Sequence, residues 1–450
     1  MRKIRLLPAN SARMVLISFL TVILLGTLLL WSDACARKSH TSFIDALFTA
    51  TSATCVTGLT VLDTGAHFNF FGQIVILCLI QLGGLGVMTF STFFWIRFRR
   101  RTSLATSDAV LNSLSAHYDP DIGDVLGRVL RLVPFIEAIG ATVLAIRFLF
   151  DGMRWYKALW YGIFHSISAF CNAGFSLFPN SFENYVSDPI INIVIPGLFI
   201  TGGIGFPVIV DIQKWSEALR VGRRYFFQFH TKLVLYSTLF LLVFGAVAIY
   251  LLESQNTLRG LSPAGRIMAS FFASATPRTA GFNTLPMAKL EPATLFLTVI
   301  LMFIGGSPCS TAGGVKTTTI AVLLLHAMSR YRDREQVTFG NRGISNEAVD
   351  RSQVIVLLSV TALTIFSFAV LSAQRGVGTP MGLVLFEVCS AFGTVGLSTG
   401  ITGQLTPAAR VIVSLLMFFG RLGALSFVAG LAVPSQRLKL RYPEEPVIVG

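Results

Sequence analysis

Long apolar runs and short polar interruptions alternate along this chain in a fixed order. Runs at 12–31, 125–150, 231–252 and 352–371 are long enough to cross a bilayer as helices. Each leads into roughly a dozen amphipathic residues, too few to cross: "SFIDALFTATSA", "YKALWYGIFHSISA", "AGRIMASFFASA" and "MGLVLFEVCSA". These predict re-entrant half-helices. Each merges into a helix-averse stretch around one glycine: "SATCVTGLTV", "SAFCNAGFSLF", "SATPRTAGFNT" and "SAFGTVGLSTG". A second apolar run then follows, at 71–98, 189–212, 292–325 and 407–433. The glycines Gly58, Gly174, Gly281 and Gly396 recur about 110 residues apart, which marks a fourfold internal repeat. The expected units are 1–101, 102–224 (a cytoplasmic linker plus the second repeat), 225–334 and 335–436, with a cytoplasmic tail at 437–450.

Composition supports a polytopic, all-α membrane protein. The 450 residues are 53% hydrophobic and only 13% charged, against about 25% charged in soluble domains. The first run is too long, and too little like a cleavage site, to be a removed signal peptide. The formal charge of +14 would suggest nucleic acid in a soluble protein. Here the basic residues gather at the ends of apolar runs: Arg2, Lys3 and Arg5; Arg97, Arg99, Arg100 and Arg101; Arg220, Arg223, Arg224 and Lys232; Arg330, Arg332, Arg334 and Arg342; Arg437, Lys439 and Arg441. That pattern sets topology and contacts anionic lipid, with both termini in the cytoplasm and no nucleic-acid partner. Six scattered cysteines show neither CxxC spacing nor a disulfide framework. The histidines form no triad and the carboxylates do not cluster at metal-ligand spacing, so no enzyme site is expected.

Non-helical backbone survives at membrane depth only where it is packed in protein or faces water. Four such stretches suggest one axis, around which main-chain carbonyls replace the hydration shell of a bare cation. Glycine permits the positive φ that such a cage needs. The half-helix C-termini add partial negative charge. The candidate filter residues are Thr54, Cys55, Val56, Thr57 and Gly58; Cys171, Asn172, Ala173 and Gly174; Thr279, Ala280 and Gly281; and Thr394, Val395 and Gly396. The alternative is a set of glycine loops that merely cap helices.

At these stretches the chain resembles the membrane subunits of Ktr potassium uptake systems, of the Trk/Ktr/HKT superfamily. The resemblance covers nearly the whole sequence, including the ending "RYPEEPVIVG". It implies four tandem M1–P-loop–M2 repeats, pseudo-fourfold around one pore, with Gly58, Gly174, Gly281 and Gly396 as the filter glycines. Some plant sodium-type relatives have serine at the first of these, so glycine there favours potassium. The lack of an extra helix pair before Ala12 favours the Ktr branch over Trk. The resemblance further implies a homodimer in a bacterial cell membrane, with control by a cytosolic ring of nucleotide-binding subunits of the KtrA/KtrC type. The expected docking surfaces are 97–116, 213–232 and 330–351. No cofactor is implied; potassium is the cargo and sodium a candidate activator.

The second runs carry another signature: "QLGGLGVMTF", "ITGGIGFPVI", "FIGGSPCSTAGG" and "FFGRLGALSF". Close helix packing through small residues accounts for the first two. In the third quarter "IGGSPCSTAGGVKTTT" interrupts the helix with glycines, a proline and hydroxyls. It lacks the spacing of a phosphate-binding loop, and no strand precedes it. A kinked packing helix is one reading. The family reading is an intramembrane gate built from Gly305, Gly306, Ser307, Cys309, Ser310, Thr311, Ala312, Gly313, Gly314 and Lys316. Arg421 stands where the first two quarters have Gly84 and Gly203. An arginine at that depth is costly. It is expected either to face the pore and bond the gate loop's carbonyls and hydroxyls, or to snorkel, as Lys316 is expected to do. Asp45 and Glu387, on half-helices, are candidates for drawing cations in, with capping or packing as the alternative. Four parallel repeats favour a channel-like pore over a secondary transporter with broken helices.

Overall fold

The computed structural model describes residues 9–37, 39–86 and 122–423. The first quarter comprises an outer helix α1 (Ala9–Trp31), a half-helix α2 (Phe43–Thr54), a single turn α3 (Thr64–His67) and an inner helix α4 (Phe70–Leu85). The second has outer helix α5 (Ile122–Phe150), half-helix α6 (Trp155–Phe170) and an inner helix in two pieces, α7 (Pro189–Ile204) and α8 (Phe206–Arg220). The third has α9 (Phe229–Glu253), half-helix α10 (Pro263–Ala275) and the inner pieces α11 (Pro292–Phe303) and α12 (Thr317–Tyr331). A small antiparallel hairpin, β1 (Thr338–Phe339) with β2 (Arg342–Gly343), precedes the fourth quarter. That quarter has outer helix α13 (Asn346–Ala373), half-helix α14 (Met381–Gly393) and inner helix α15 (Pro407–Leu422).

Among the described residues, 131–150, α9 and α13 are long and apolar enough to cross a membrane. Their outward faces carry bare apolar side chains such as Phe240, Val243 and Val247 on α9, as hydrocarbon contact requires. Helix starts follow local chemistry. Ser42, Asp188, Ser262, Ser345 and Thr406 each accept a main-chain N–H from the first turn of the helix that follows.

Each half-helix packs on the outer helix of its own quarter, and those of the first, second and fourth quarters pack on their own inner helix as well. Each inner helix also packs on the half-helix of the next quarter: α4 on α6, α7 on α10, α11 on α14, and α15 on α2. The last contact closes the circle.

One expected helix is broken. The run at 189–212 bends by 103° between α7 and α8. The cause is distant in sequence. Gly205 adopts φ +100°, and Phe206 N–H donates to the Cys309 carbonyl of the third quarter at 3.0 Å. The basic groups at 2–5, 97–101 and 437–441, the docking segment 97–116, the tail 437–450 and the far parts of the first and fourth downstream runs lie outside the described residues.

Candidate functional site: a ring of four glycines

The four glycine stretches meet in chain order. A Cβ built on Gly58 would stand 3.0 Å from the Cα of Gly174; on Gly174, 2.9 Å from that of Gly281; on Gly281, 3.3 Å from that of Gly396; and on Gly396, 3.0 Å from that of Gly58. At each of these four α-carbons there is room for a hydrogen and for no side chain. All four glycines have positive φ: 92°, 70°, 77° and 92°. Two residues earlier, Val56, Asn172, Thr279 and Thr394 are also left-handed, at 57°, 61°, 69° and 49°. These four make up most of the seven non-glycine residues with positive φ among those described. Such conformations cost energy and persist where the surroundings impose them.

The residues between the two left-handed positions are Thr57, Ala173, Ala280 and Val395. Their carbonyl oxygens lie against the neighbouring quarter's glycine. Their N–H groups return to the half-helices, with Thr57 N bonded to Ser52 O at 2.8 Å, Ala173 N to Ser168 O at 2.7 Å, Ala280 N to Thr276 O at 2.9 Å and Val395 N to Ser390 O at 2.8 Å. Side-chain hydroxyls add a second tie. Ser52 and Ser390 accept from the N–H of Gly58 and Gly396, each at 3.1 Å. Ser168 and Thr276 donate to the carbonyls of Phe175 and Phe282. Sequence reasoning passed over these four hydroxyls, although Ser or Thr near the end of every half-helix was the available signal. Thr54 ends α2 and Cys55 caps it, while Cys171 caps α6. The hydroxyls of Thr54, Thr57 and Thr394 are buried and have no protein partner among the described residues.

On one side the ring opens into a vestibule of about 400 Å³ lined by all four glycines and by Asp63 and Glu183. Beside it Tyr185 donates to Asp151 at 2.8 Å. Burial, followed by that bond to a carboxylate, raises the Tyr185 hydroxyl above its ordinary range.

On the other side lies the interrupted third inner helix. The loop leaves α11 at Ile304, pairs Ile304 with Val315 as a parallel bridge, and re-enters helix at Thr317. Ser307 N–H donates to Gly203 O at 3.0 Å and Thr311 N–H to Gly202 O at 3.3 Å, so the loop grips the second inner helix. The Thr311 hydroxyl lies 3.0 Å from the Asn172 amide. Ser310 donates to Ser307 O at 2.7 Å and accepts from Ala312 N at 3.2 Å, while Ser307 meets the Thr317 hydroxyl at 3.2 Å. Gly305 packs against the main chain of Gly313, Gly306 against Ala312, and Gly313 against the Thr394 side chain. A Cβ on Gly314 would stand 3.4 Å from the Cα of Gly393. The loop therefore lies directly against the ring.

Arg421 bonds the main chain of this loop and that of the first inner helix. One guanidinium nitrogen donates to Thr311 O, and the other donates to Gly83 O and reaches Gly84 O at 3.5 Å. Lys316 differs from the snorkelling expected of it: Nζ donates to Ala312 O at 2.7 Å, inside the loop. The glycine pairs of the inner helices have a packing reason. Gly83, Gly202 and Gly420 each admit the carbonyl of a nearby half-helix terminus: Thr54, Phe170 and Phe392.

Asp45 and Glu387 both take the packing alternative. Asp45 pairs with Arg410 of α15 at 2.5 Å and accepts from Ser42 at 2.8 Å. Glu387 accepts from Ser398 at 2.9 Å and from Thr402. Several buried ionisable residues escaped sequence reasoning, Glu137 and Arg278 among them. Glu137 of α5 accepts from Gln81 of α4 at 3.1 Å, and Arg278 donates to Thr238 at 3.3 Å. Among the described residues no group of His, Cys, Asp and Glu could hold a metal ion.

Residues 7–440 match the family model of TrkH, a cation transport protein. The chain is 41% identical to the Ktr system potassium uptake protein B of Bacillus subtilis, covering 96% of this chain and 95% of that one. It is 37% identical to the protein of the same name from Vibrio alginolyticus, over 98% and 95%. It is 35% identical to the potassium/sodium uptake protein NtpJ of Enterococcus hirae, over 98% and 97%. In fold it is similar to the potassium transporter TrkH of Vibrio parahaemolyticus, with a TM-score of 0.76 at 19% identity over 94% of this chain and 85% of that one.

Proposed function

Because this chain belongs to the TrkH family of cation transport proteins, we propose that it is the potassium-translocating membrane subunit of a Ktr-type uptake system and that potassium passes through the glycine ring. One observation carries the reading: four non-helical stretches close a circle in which left-handed residues alternate at matched positions. Alternating handedness turns successive carbonyls toward one side, as a cage for a bare cation requires. The C-terminal ends of four half-helices add negative potential there. The unpartnered hydroxyls of Thr54, Thr57 and Thr394 supply further oxygens.

The loop from Ile304 to Lys316 is the gate, and Arg421 latches it. An arginine held beneath a cation filter also raises the barrier to conduction, since the site is poorly screened. The vestibule with Asp63 and Glu183 faces outward, and the basic segments 213–232 and 330–351 face the cytoplasm. These basic segments are the surfaces for a ring of cytosolic nucleotide-binding regulators, and two copies of this chain form the membrane unit. Sodium acts as a second cation, in keeping with the name of the Enterococcus relative.

Expression in cells stripped of their own potassium uptake tests the proposal. Growth at low potassium should return with the wild-type chain and fail with Gly174→Asp. Restoration by the aspartate variant would remove the ring from the ion path. Flux in proteoliposomes without any counter-ion gradient separates a pore from a secondary transporter, because only the pore conducts there.

A further inference from the structure

The rim above the glycines repeats in register as well. Two residues beyond each glycine stand Thr60, Ser176, Asn283 and Ser398, and all four line the vestibule. Nine residues before each glycine, on the half-helices, stand Thr49, His165, Phe272 and Glu387. On one diagonal of the ring the two sets are bonded. Ser176 Oγ lies 3.1 Å from His165 Nε2, and Ser398 Oγ donates to Glu387 at 2.9 Å. On the other diagonal they are not: Thr49 donates to Asp45 O within its own helix, and Phe272 has no polar atom.

Neighbouring groups fix the directions of these bonds. His165 Nδ1 lies 2.7 Å from the Tyr161 carbonyl, which only accepts, so Nδ1 carries the hydrogen. The main-chain N–H of Leu177 donates to Nε2 at 3.2 Å, so Nε2 carries none. The Ser176 hydroxyl therefore donates to Nε2, while its oxygen accepts from Phe178 N–H at 3.0 Å. Ser398 repeats the pattern. Its hydroxyl donates to Glu387 and its oxygen accepts from Gly400 N–H at 3.0 Å. Thr402 lies 2.9 Å from that oxygen but also reaches Glu387. The carboxylate is the stronger acceptor and takes the single Thr402 hydrogen. Both serines thus have their hydrogen tied back into the protein and an oxygen lone pair left over. A freely rotating hydroxyl offers a cation either end, whereas these two offer only oxygen.

We propose that His165 and Glu387 are positioning residues that hold the hydroxyl oxygens of Ser176 and Ser398 toward the vestibule, where they form a receiving site for a partly dehydrated monovalent cation above the glycine ring. The inference rests on the reading of that ring as the filter. The two hydroxyl arms stand apart from the other rim residues: among the described residues no side-chain acceptor backs Thr60, and the Asn283 amide nitrogen donates to Glu183 at 2.8 Å and to the Leu285 carbonyl at 3.0 Å, on the rim and not to a half-helix.

The test is the potassium dependence of uptake by the whole system in cells lacking other potassium uptake. Ser176→Ala and Ser398→Ala should each raise the half-saturating concentration about fivefold, the order of one oriented polar contact, with the maximal rate kept within about twofold. His165→Phe fills the aromatic pocket without an acceptor. It should match Ser176→Ala, and the double variant should be no worse than either single one. His165→Gln, which retains an accepting oxygen, should recover part of the loss. Thr60→Ala should shift the half-saturating concentration less than either serine variant. An unchanged value in Ser176→Ala, effects that multiply in the double variant, no recovery with glutamine, or an equal shift in Thr60→Ala would each overturn the assignment. If His165→Phe lowers protein yield, the comparison of Ser176→Ala and Ser398→Ala with Thr60→Ala still decides. Gly58→Ser measured in parallel keeps the two readings apart. Unchanged ion discrimination in that variant defeats the filter, whereas changed discrimination with a wild-type Ser176→Ala defeats only the receiving site.

Discussion

The guanidinium of Arg421, on the fourth inner helix, donates to the main-chain carbonyl of Thr311, in the loop that interrupts the third. Its other nitrogen holds Gly83 of the first. If the loop is the proposed gate, Arg421→Ala removes both these bonds and the charge and should raise basal potassium flux, with less dependence on the proposed regulator. Arg421→Lys keeps the charge without the planar fork and should fall between the two. Flux in proteoliposomes without regulator measures this. Loss of dimer assembly in the alanine variant would make the residue structural. A lysine variant as tight as wild type would assign the effect to charge alone.

Deleting several residues within 305–314 should also raise flux. The loop lies against Thr394 and Gly393 of the ring, and its bonds to Gly202 and Gly203 hold it there. A stably inserted deletion variant that conducts less would turn the loop into a scaffold.

Gly58→Ser should lower the preference for potassium over sodium. The new Cβ would stand 3.0 Å from the Gly174 Cα, at a φ of +92° that side chains rarely adopt. Competitive uptake of the two cations is the readout, and an unaltered ratio counts against the cage.

Asp45→Asn should destabilise the protein by about 2 kcal/mol, the order of a partly buried charge-assisted bond. The half-saturating potassium concentration should stay at the wild-type value, because Asp45 is bound to Arg410 at 2.5 Å. Unfolding in detergent gives the first quantity and uptake the second. A large change in ion affinity would return Asp45 to the conduction path.

Gly420→Ala should be far more damaging than Gly197→Ala. At Gly420 a Cβ meets the Phe392 main chain, which cannot step aside, whereas at Gly197 nothing lies within 4 Å. The second substitution gains helix propensity, worth about 1 kcal/mol in peptides. Thermal melting of the two variants side by side checks the contrast.

The repeat was legible because it is local. Apolar run length, amphipathic half-helices and one glycine per quarter are all properties of neighbouring residues. The features that escaped depend on partners far along the chain. The break at Gly205 sits in a run that reads as one apolar helix, and the bond that stabilises it comes from Cys309. Asp45 faces solvent or pore equally well on a helical wheel until Arg410 arrives from the other end of the sequence. Lys316 sits at the start of α12, where snorkelling is a reasonable expectation, yet it finds its acceptor within its own loop at Ala312. Glu137 escaped notice within an apolar run, because its partner Gln81 belongs to another quarter.

The order of the ring has a consequence for its chemistry. Gly58, Gly174, Gly281 and Gly396 follow one another around the circle as they do along the chain. A ring assembled from four identical subunits would repeat every substitution four times. Arg421 would then bring four guanidinium groups to the level where Gly84 and Gly203 stand, and no cation would pass such a collar of charge. With the quarters fused into one polypeptide, the same level carries one arginine beside glycines. Each quarter is free to differ at a single place: one holds the loop proposed as the gate, another the arginine bonded to it. Covalent fusion makes a lone charge permissible inside an otherwise uniform ring.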